Sequence, residues 1–296
     1  MTMDKQSATR LIRALTEYSK RYQLFDDFDE NDFVSTFEQL SPHVTLVDIE
    51  FNNFEMIRSR ATQPSLDFEH LNQMIYPPAN KVKLGRCNFD GQSILYASSN
   101  VETSFLEIGF SEPKSCAVLA QFRLKHDTTL TLRPIGELDH YRRHRRPRLT
   151  TAGVTEKIEQ LLTPLGHYDQ IVRWYVDAYL ADFFGRQLNE GNDRHLYEIT
   201  SRIANALLKD DHIDGLIFPS VKHTGGFNYA IKPSVFDARF EISKYALTAP
   251  VHEHGYGLFE YFVHAEGNQL DQNGNFQFHT NPHFNARSTW PLSADQ

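Results

Sequence analysis

Residues 84–110, LGRCNFDGQSILYASSNVETSFLEIGF, set an arginine, a tyrosine and a glutamate at successive element boundaries. Arg86 lies in a Gly-Arg-x-Asn turn, and Tyr96 sits in the short apolar run 94–97, which reads as a buried strand. Ser99-Asn100-Val101-Glu102 has the pattern of a capping box: a hydroxyl for the orphan amides, then a glutamate three residues on, ahead of Phe105 and Leu106. A helix is predicted to start there. Glu107 falls in its second turn between Leu106 and Ile108, where a carboxylate is costly to bury unless a charge or a hydrogen bond meets it.

Working outward, helical spacing over residues 7–22 (Leu11, Ile12, Leu15, Tyr18, Tyr22) and a second helix over 31–40 form an N-terminal preface. The alternating stretch 44–51 and the stretch 54–60 open a sheet, which continues after the predicted helix with strands at 116–124 and 128–132. Residues 134–195 turn helical, most strongly at 169–184, and read as an insertion. A helix at 197–208 then runs into the buried strand 215–220, and strands at 227–231 and 238–242 follow. The tail beyond Leu247 is rich in His, Asn, Gln and Gly, with strand-like stretches at 256–263 and 276–279. Strands and helices segregate into an α+β pattern: an N-terminal extension (1–43), a main domain (44–247) carrying the insertion, and a C-terminal extension of that domain (248–296).

Composition narrows the function. With 296 residues, 40% apolar and 23% charged, the chain can bury a full core. Its net charge of −8 disfavours nucleic acid or an anionic membrane as the main partner and favours a small molecule or a protein. Two cysteines, Cys87 and Cys116, form neither a CxxC pair nor a disulfide framework, and no secretory or membrane-spanning segment is read, so a cytoplasmic location is expected.

A second cluster, Gly215-Leu216-Ile217-Phe218-Pro219-Ser220 followed by Gly225-Gly226-Phe227-Asn228-Tyr229-Ala230, completes a pattern with Arg58-Ser59-Arg60, Pro77-Pro78, the Gly-Arg turn, Leu95-Tyr96 and the stretch 103–107. In that order these motifs resemble the RES family, over about residues 57–242. The resemblance implies an ADP-ribosyltransferase-like core, a split antiparallel or mixed sheet with flanking helices, and consumption of NAD+. It implies a toxin-like glycohydrolase or phosphorylase, or alternatively transfer of ADP-ribose to a protein, or a non-catalytic nucleotide-sensing module. Carried over by position, Arg86, Tyr96 and Glu107 match catalytic positions, while Arg58 or Arg60, with Arg86, Tyr96 and Ser220, match positions that bind NAD+. No metal and no cofactor beyond NAD+ as substrate is implied. Phosphate as co-substrate, an antitoxin or regulatory partner, and self-association all fit. The chain departs from the compact family pattern in its N-terminal helices, its insertion, its tail, and Cys87 in place of an aromatic residue.

The chemistry makes these residue types intelligible. Breaking the nicotinamide–ribose bond passes through an oxocarbenium-like cation, which a carboxylate such as Glu107 stabilises. A pyrophosphate calls for guanidinium groups, the part of Arg86 with Arg58 or Arg60. Tyr96 can lie against the nicotinamide ring, and Ser220 can hydrogen-bond ribose or phosphate. Each residue also fits a plainer role: Glu107 as a helix-surface acid paired with a lysine, Arg86 closing a turn, Tyr96 in the core, Ser220 in turn chemistry. The basic run 142–148 reads as a solvated loop, His252-Glu253-His254 lacks the spacing partners of a metal site, and Cys87 has no histidine placed near it by motif.

Overall fold

The computed structural model describes residues 3–24, 29–62, 69–110, 116–149, 153–187, 193–280 and 286–288. In chain order the elements are α1 (Lys5–Leu24), α2 (Glu30–Leu40), β1 (Ile49–Phe51), β2 (Glu55–Thr62), β3 (Leu95–Ser98), α3 (Val101–Ile108), β4 (Cys116–Leu124) and β5 (Leu130–Pro134). There follow α4 (Glu137–His144), α5 (Val154–Leu162), α6 (His167–Gly185), α7 (Asp193–Leu207), β6 (Gly215–Pro219), β7 (Phe227–Ile231) and α8 (Pro233–Arg239). Last come β8 (Phe240–Gly255), β9 (Leu258–Gly267), β10 (His279–Thr280) and β11 (Ala286–Ser288). The chain is α+β, as its sequence pattern predicts. Among the described residues no helix is long and apolar enough to cross a membrane.

Three expectations need correction. The stretch 44–51 is a strand only at β1; residues 44–48, which follow the 3-10 turn Ser41–His43, belong to no ladder. The strand predicted at 238–242 begins later, at β8: Pro233, whose fixed φ and missing N–H suit a first helical position, opens α8 instead. Residue 247 is not a boundary in the ladder, since β8 continues to Gly255 and pairs with β9 from Tyr245 to Gly255. The end of the expected C-terminal extension, 289–296, lies outside the described residues, as do parts of the insertion at 150–152 and 188–192.

The chain divides into two compact units. The first comprises Met1–Ile49, Leu84–Phe89 and Thr131–Phe218. It is mainly helical, with β5 and β6 paired in parallel, Leu132 opposite Gly215. Helix α6 is its axis, burying Val172, Val176, Leu180, Phe183 and Phe184. Arg133 on β5 is 2% exposed and fully engaged. Its guanidinium donates to Asp48 (2.7 and 3.1 Å), to Asp210 (3.0 Å) and to the Leu207 carbonyl at the end of α7 (2.6 Å). Burial works against both charges, but Asp48 and Asp210 hold the Arg133 pKa up and Arg133 with His212 holds the Asp48 pKa down.

The second unit comprises Glu50–Lys83, Asp90–Leu130 and Pro219–Gln296. Its strands follow the order β7-β3-β2-β4-β8-β9-β10, with β11 also on β9, and every pairing is antiparallel. β4 sits between β2 and β8 and buries side chains on both faces over Cys116, Ala117 and Val118, which explains why its sequence is apolar without alternation there. The aromatic cluster of Phe105, Phe110, Phe259 and Tyr261 fastens α3 to this sheet.

Candidate functional site

Helix α3 presents Glu107, so its two ends decide where the carboxylate stands. The N-cap is Asn100, not Ser99: Asn100 Oδ1 accepts from Thr103 N at 2.8 Å and from Thr103 Oγ1 at 2.6 Å. Ser99 is tied to β7 instead, its Oγ accepting from Phe227 N (3.1 Å) and its N–H donating to Phe227 O (2.9 Å), which delays the helix by one residue. At the other end Gly109, at φ 66°, donates to Leu106 O while Phe110 N donates to Phe105 O. This pair of bonds is a Schellman motif, and its usual apolar contact is the stacked Phe105–Phe110 pair, with centroids 4.1 Å apart.

Glu107 therefore stands in the last turn of α3, where the carbonyl end of the helix disfavours an anion. It is exposed, and among the described residues neither a lysine nor any other cation pairs with it, unlike the helix-surface acid of the plainer reading. Two neutral donors meet it instead. Ser220 Oγ donates to Glu107 Oε1 at 2.7 Å, and Asn228 Nδ2 donates to the same oxygen at 2.6 Å. Asn228 is 9% exposed and is itself fixed by Ser98 Oγ, which donates to Asn228 Oδ1 at 2.9 Å. Oε1 is thus anchored, and among the described residues Oε2 has no protein donor.

Register places Tyr96 beside this group. Ser98 pairs with Asn228 and Tyr96 with Ala230, so the three polar side chains share one face of β3 and β7. Ile57 pairs with Ser98, and Ser59 accepts a hydrogen bond from Ser104 of α3 (2.8 Å), which puts Ile57 and Ser59 on that same face. Arg58 and Arg60 alternate with them and belong to the opposite face of β2.

Arg58 nevertheless reaches β3. The β2–β3 ladder holds the single register pair Ile57–Ser98, and beyond it Arg58 Nη1 donates to the Tyr96 carbonyl, in place of a ladder amide. Burial, with the charge of Arg60 second, pulls the Arg58 guanidinium down to about 10, so it stays cationic at neutral pH. Its Nε is sealed from solvent and has no hydrogen-bond partner among the described residues. Arg60 donates to the Gln73 carbonyl at 3.0 Å.

Arg86 belongs to the first unit. Its guanidinium donates to the carbonyls of Phe184 (2.8 Å), Phe183 (3.5 Å) and Arg186 (3.2 Å) and stands 5.8 Å from the Tyr197 ring centroid. These are the orphan carbonyls at the end of α6, and a cation there also complements the helix dipole. Of the predicted site residues, then, Glu107 and Ser220 are in direct contact, Arg58 touches the backbone of Tyr96, Arg60 makes a separate backbone contact, and Arg86 is a helix cap.

Asn228 was missed by sequence reasoning, although a signal existed: a carboxamide between Phe227 and Tyr229 in a buried strand is depleted there and needs a partner. The remaining features resolve plainly. Cys87 is fully buried. The basic run is the last turn of α4 and the residues after it, with Arg142 and Arg143 paired to Asp139. His254 pairs with Glu260 across the β8–β9 hairpin.

A model of the RES domain matches residues 59–250, well over half of the chain, and the chain belongs to the RES family. That family is associated with NAD-processing enzymatic activity. No curated protein matches the sequence.

Proposed function

We propose that the second unit binds NAD+ and cleaves its nicotinamide–ribose bond at Glu107, as a RES-type, toxin-like glycohydrolase or phosphorylase with an ADP-ribosyltransferase-like core. The observation that carries this reading is the state of Glu107. An exposed carboxylate fixed through one oxygen by two neutral donors keeps its orientation and a second oxygen for a ligand. Glu107 lies at the carbonyl end of α3, so it caps no helix N-terminus, and its two side-chain donors serve to orient it.

In this reading Glu107 Oε2 faces the ribose and stabilises the cation that develops as nicotinamide departs. Nicotinamide leaves readily from the cationic ring, so positioning carries most of the catalysis and no general acid is required. Tyr96, on the same strand face as Ser98 and Asn228, is the stacking surface for the ring. Arg58, cationic and bonded to the Tyr96 carbonyl, contributes positive charge toward the pyrophosphate from the opposite face of β2. Arg60, which donates to the Gln73 backbone carbonyl, is proposed in support.

Nicotinamide release from NAD+ tests the reading. Release in water alone defines a glycohydrolase, release that depends on phosphate a phosphorylase, and label from NAD+ appearing on a protein a transferase. A folded protein that binds ADP-ribose and releases no nicotinamide with any acceptor overturns the catalytic reading and leaves a nucleotide-binding module.

A further inference from the structure

The turn that presents Ser220 is held at its far side by one imidazole. Ser220 Oγ, while donating to Glu107, accepts the backbone N–H groups of Lys222 (3.2 Å) and His223 (3.0 Å). The turn closes through Ser220 N to Gly226 O (2.9 Å) and Gly226 N to His223 O (3.0 Å). From it the His223 ring reaches α3, with Nδ1 2.8 Å from Thr103 Oγ1. The Thr103 hydroxyl spends its single proton on Asn100 Oδ1, so in the bond to His223 the donor is Nδ1–H. Thr103 is fully buried and precedes Glu107 by four residues, one turn along the same helix face.

Two glycines make room for this ring. A Cβ on Gly226 would stand 2.3 Å from Thr103 Oγ1 and 2.8 Å from His223 Nδ1. A Cβ on Gly257, in the β8–β9 turn, would stand 2.7 Å from His223 Nε2. Gly257 lies beyond the matched RES region, which ends at residue 250, so the close approach on this side of the ring comes from outside that match.

We infer that His223 is a positioning residue for Glu107: its Nδ1–H bond to Thr103 locks the 220–226 turn onto α3 and thereby keeps Ser220 Oγ on Glu107 Oε1. The catalytic consequence rests on the proposed role of Glu107; the structural one does not. Losing the lock frees the turn, and a misplaced catalytic group is costly even when the displacement is about 1 Å.

Three variants and two readouts test the inference. His223→Asn places an N–H near the position of Nδ1, whereas His223→Gln places it one bond further out and His223→Ala removes it. Expected are a fall in kcat for nicotinamide release of about tenfold or more in the Ala and Gln variants, a KM for NAD+ within about threefold of wild type, and near wild-type rates for Asn. Amide hydrogen exchange at Lys222, residue 223 and Gly226 accelerates in Ala and Gln but not in Asn, with β4 amides unchanged. Unchanged exchange in the Ala variant, equal behaviour of Asn and Gln, or acceleration that extends to β4 overturns the inference. A wild-type protein that releases no nicotinamide sinks the reading of Glu107, and the exchange pattern alone then decides the role of His223.

Discussion

At the residue scale, two neutral donors do for Glu107 what a cation does for most fixed carboxylates, and the difference is functional. A paired guanidinium would offset the charge that a developing cation needs, whereas Ser220 and Asn228 orient the group without bringing a countercharge. The donors depend on close packing around Thr103, where Gly226 admits no side chain. Gly226→Ala drives a methyl into Thr103 and His223, and a loss of about 1–3 kcal/mol of stability is expected in chemical denaturation, together with reduced nicotinamide release. Full stability in this variant would contradict the packing described for the turn. Glu107 and Ser220 were legible in the sequence because their motifs stand in family order. Their mutual bond was not, for it joins residues 113 apart, and no local pattern encodes such a pairing. The role of Arg86 was not legible, for a physical reason: a guanidinium satisfies the carbonyls of a helix end as well as it satisfies a phosphate, and its turn motif is the same in either role.

At the element scale, side chains from one element repeatedly finish the ends of another. Asp177 of α6 accepts from the backbone N–H groups of Gly136 (3.2 Å) and Asp139 (2.8 Å) and so caps α4, whose own N-cap, Gly136, has no side chain to do it. Burial, only partly offset by these bonds and reinforced by Asp139 and Glu137, raises the Asp177 pKa from 3.8 to about 7. An acid whose folded pKa is raised contributes its stability below its unfolded pKa and loses it as pH climbs to the folded value. Stability of the first unit is therefore expected to fall between about pH 4 and pH 7, by roughly 4 kcal/mol at most, and Asp177→Asn should flatten that slope in thermal unfolding across the range. A slope unchanged by the substitution would contradict the assignment. Asp48, held low, acts in the opposite sense and in a lower window, below about pH 4. Removing its partner is harsher: Arg133→Ala leaves Asp48 and the Leu207 carbonyl without their donor and is expected to cost about 3–5 kcal/mol in denaturant unfolding. The elements themselves were largely readable. Helical spacing located α1, α2 and α6, and the Gly109-Phe110 stop of α3 follows directly from its sequence. Capping at Ser99 was misread because the ladder to β7 claims that residue, and tertiary pairing of this kind has no local signature.

At the scale of the whole molecule, the two compact units are interleaved along the chain, and the residues in RES order are divided between them: Arg86 in the first, and Arg58, Arg60, Tyr96, Glu107 and Ser220 in the second. Family membership accounts for residues 59–250, whereas α1, α2, the end of β8 and all of β9 lie outside that match and belong to this chain's own elaboration. The α+β class was evident from segregated periodicities. The interleaving was not, because a short excursion such as Leu84–Phe89 has too few residues to announce where it packs. The central claim concerns a single carboxylate, and it is tested most directly by the time course of nicotinamide release from saturating NAD+ for wild type and Glu107→Gln side by side. Glutamine keeps the oxygen that Ser220 and Asn228 hold and removes only the charge, so a loss of at least about a hundredfold in rate with unchanged thermal stability is predicted. Equal rates in the two proteins, or no release from a folded wild-type chain, would contradict it.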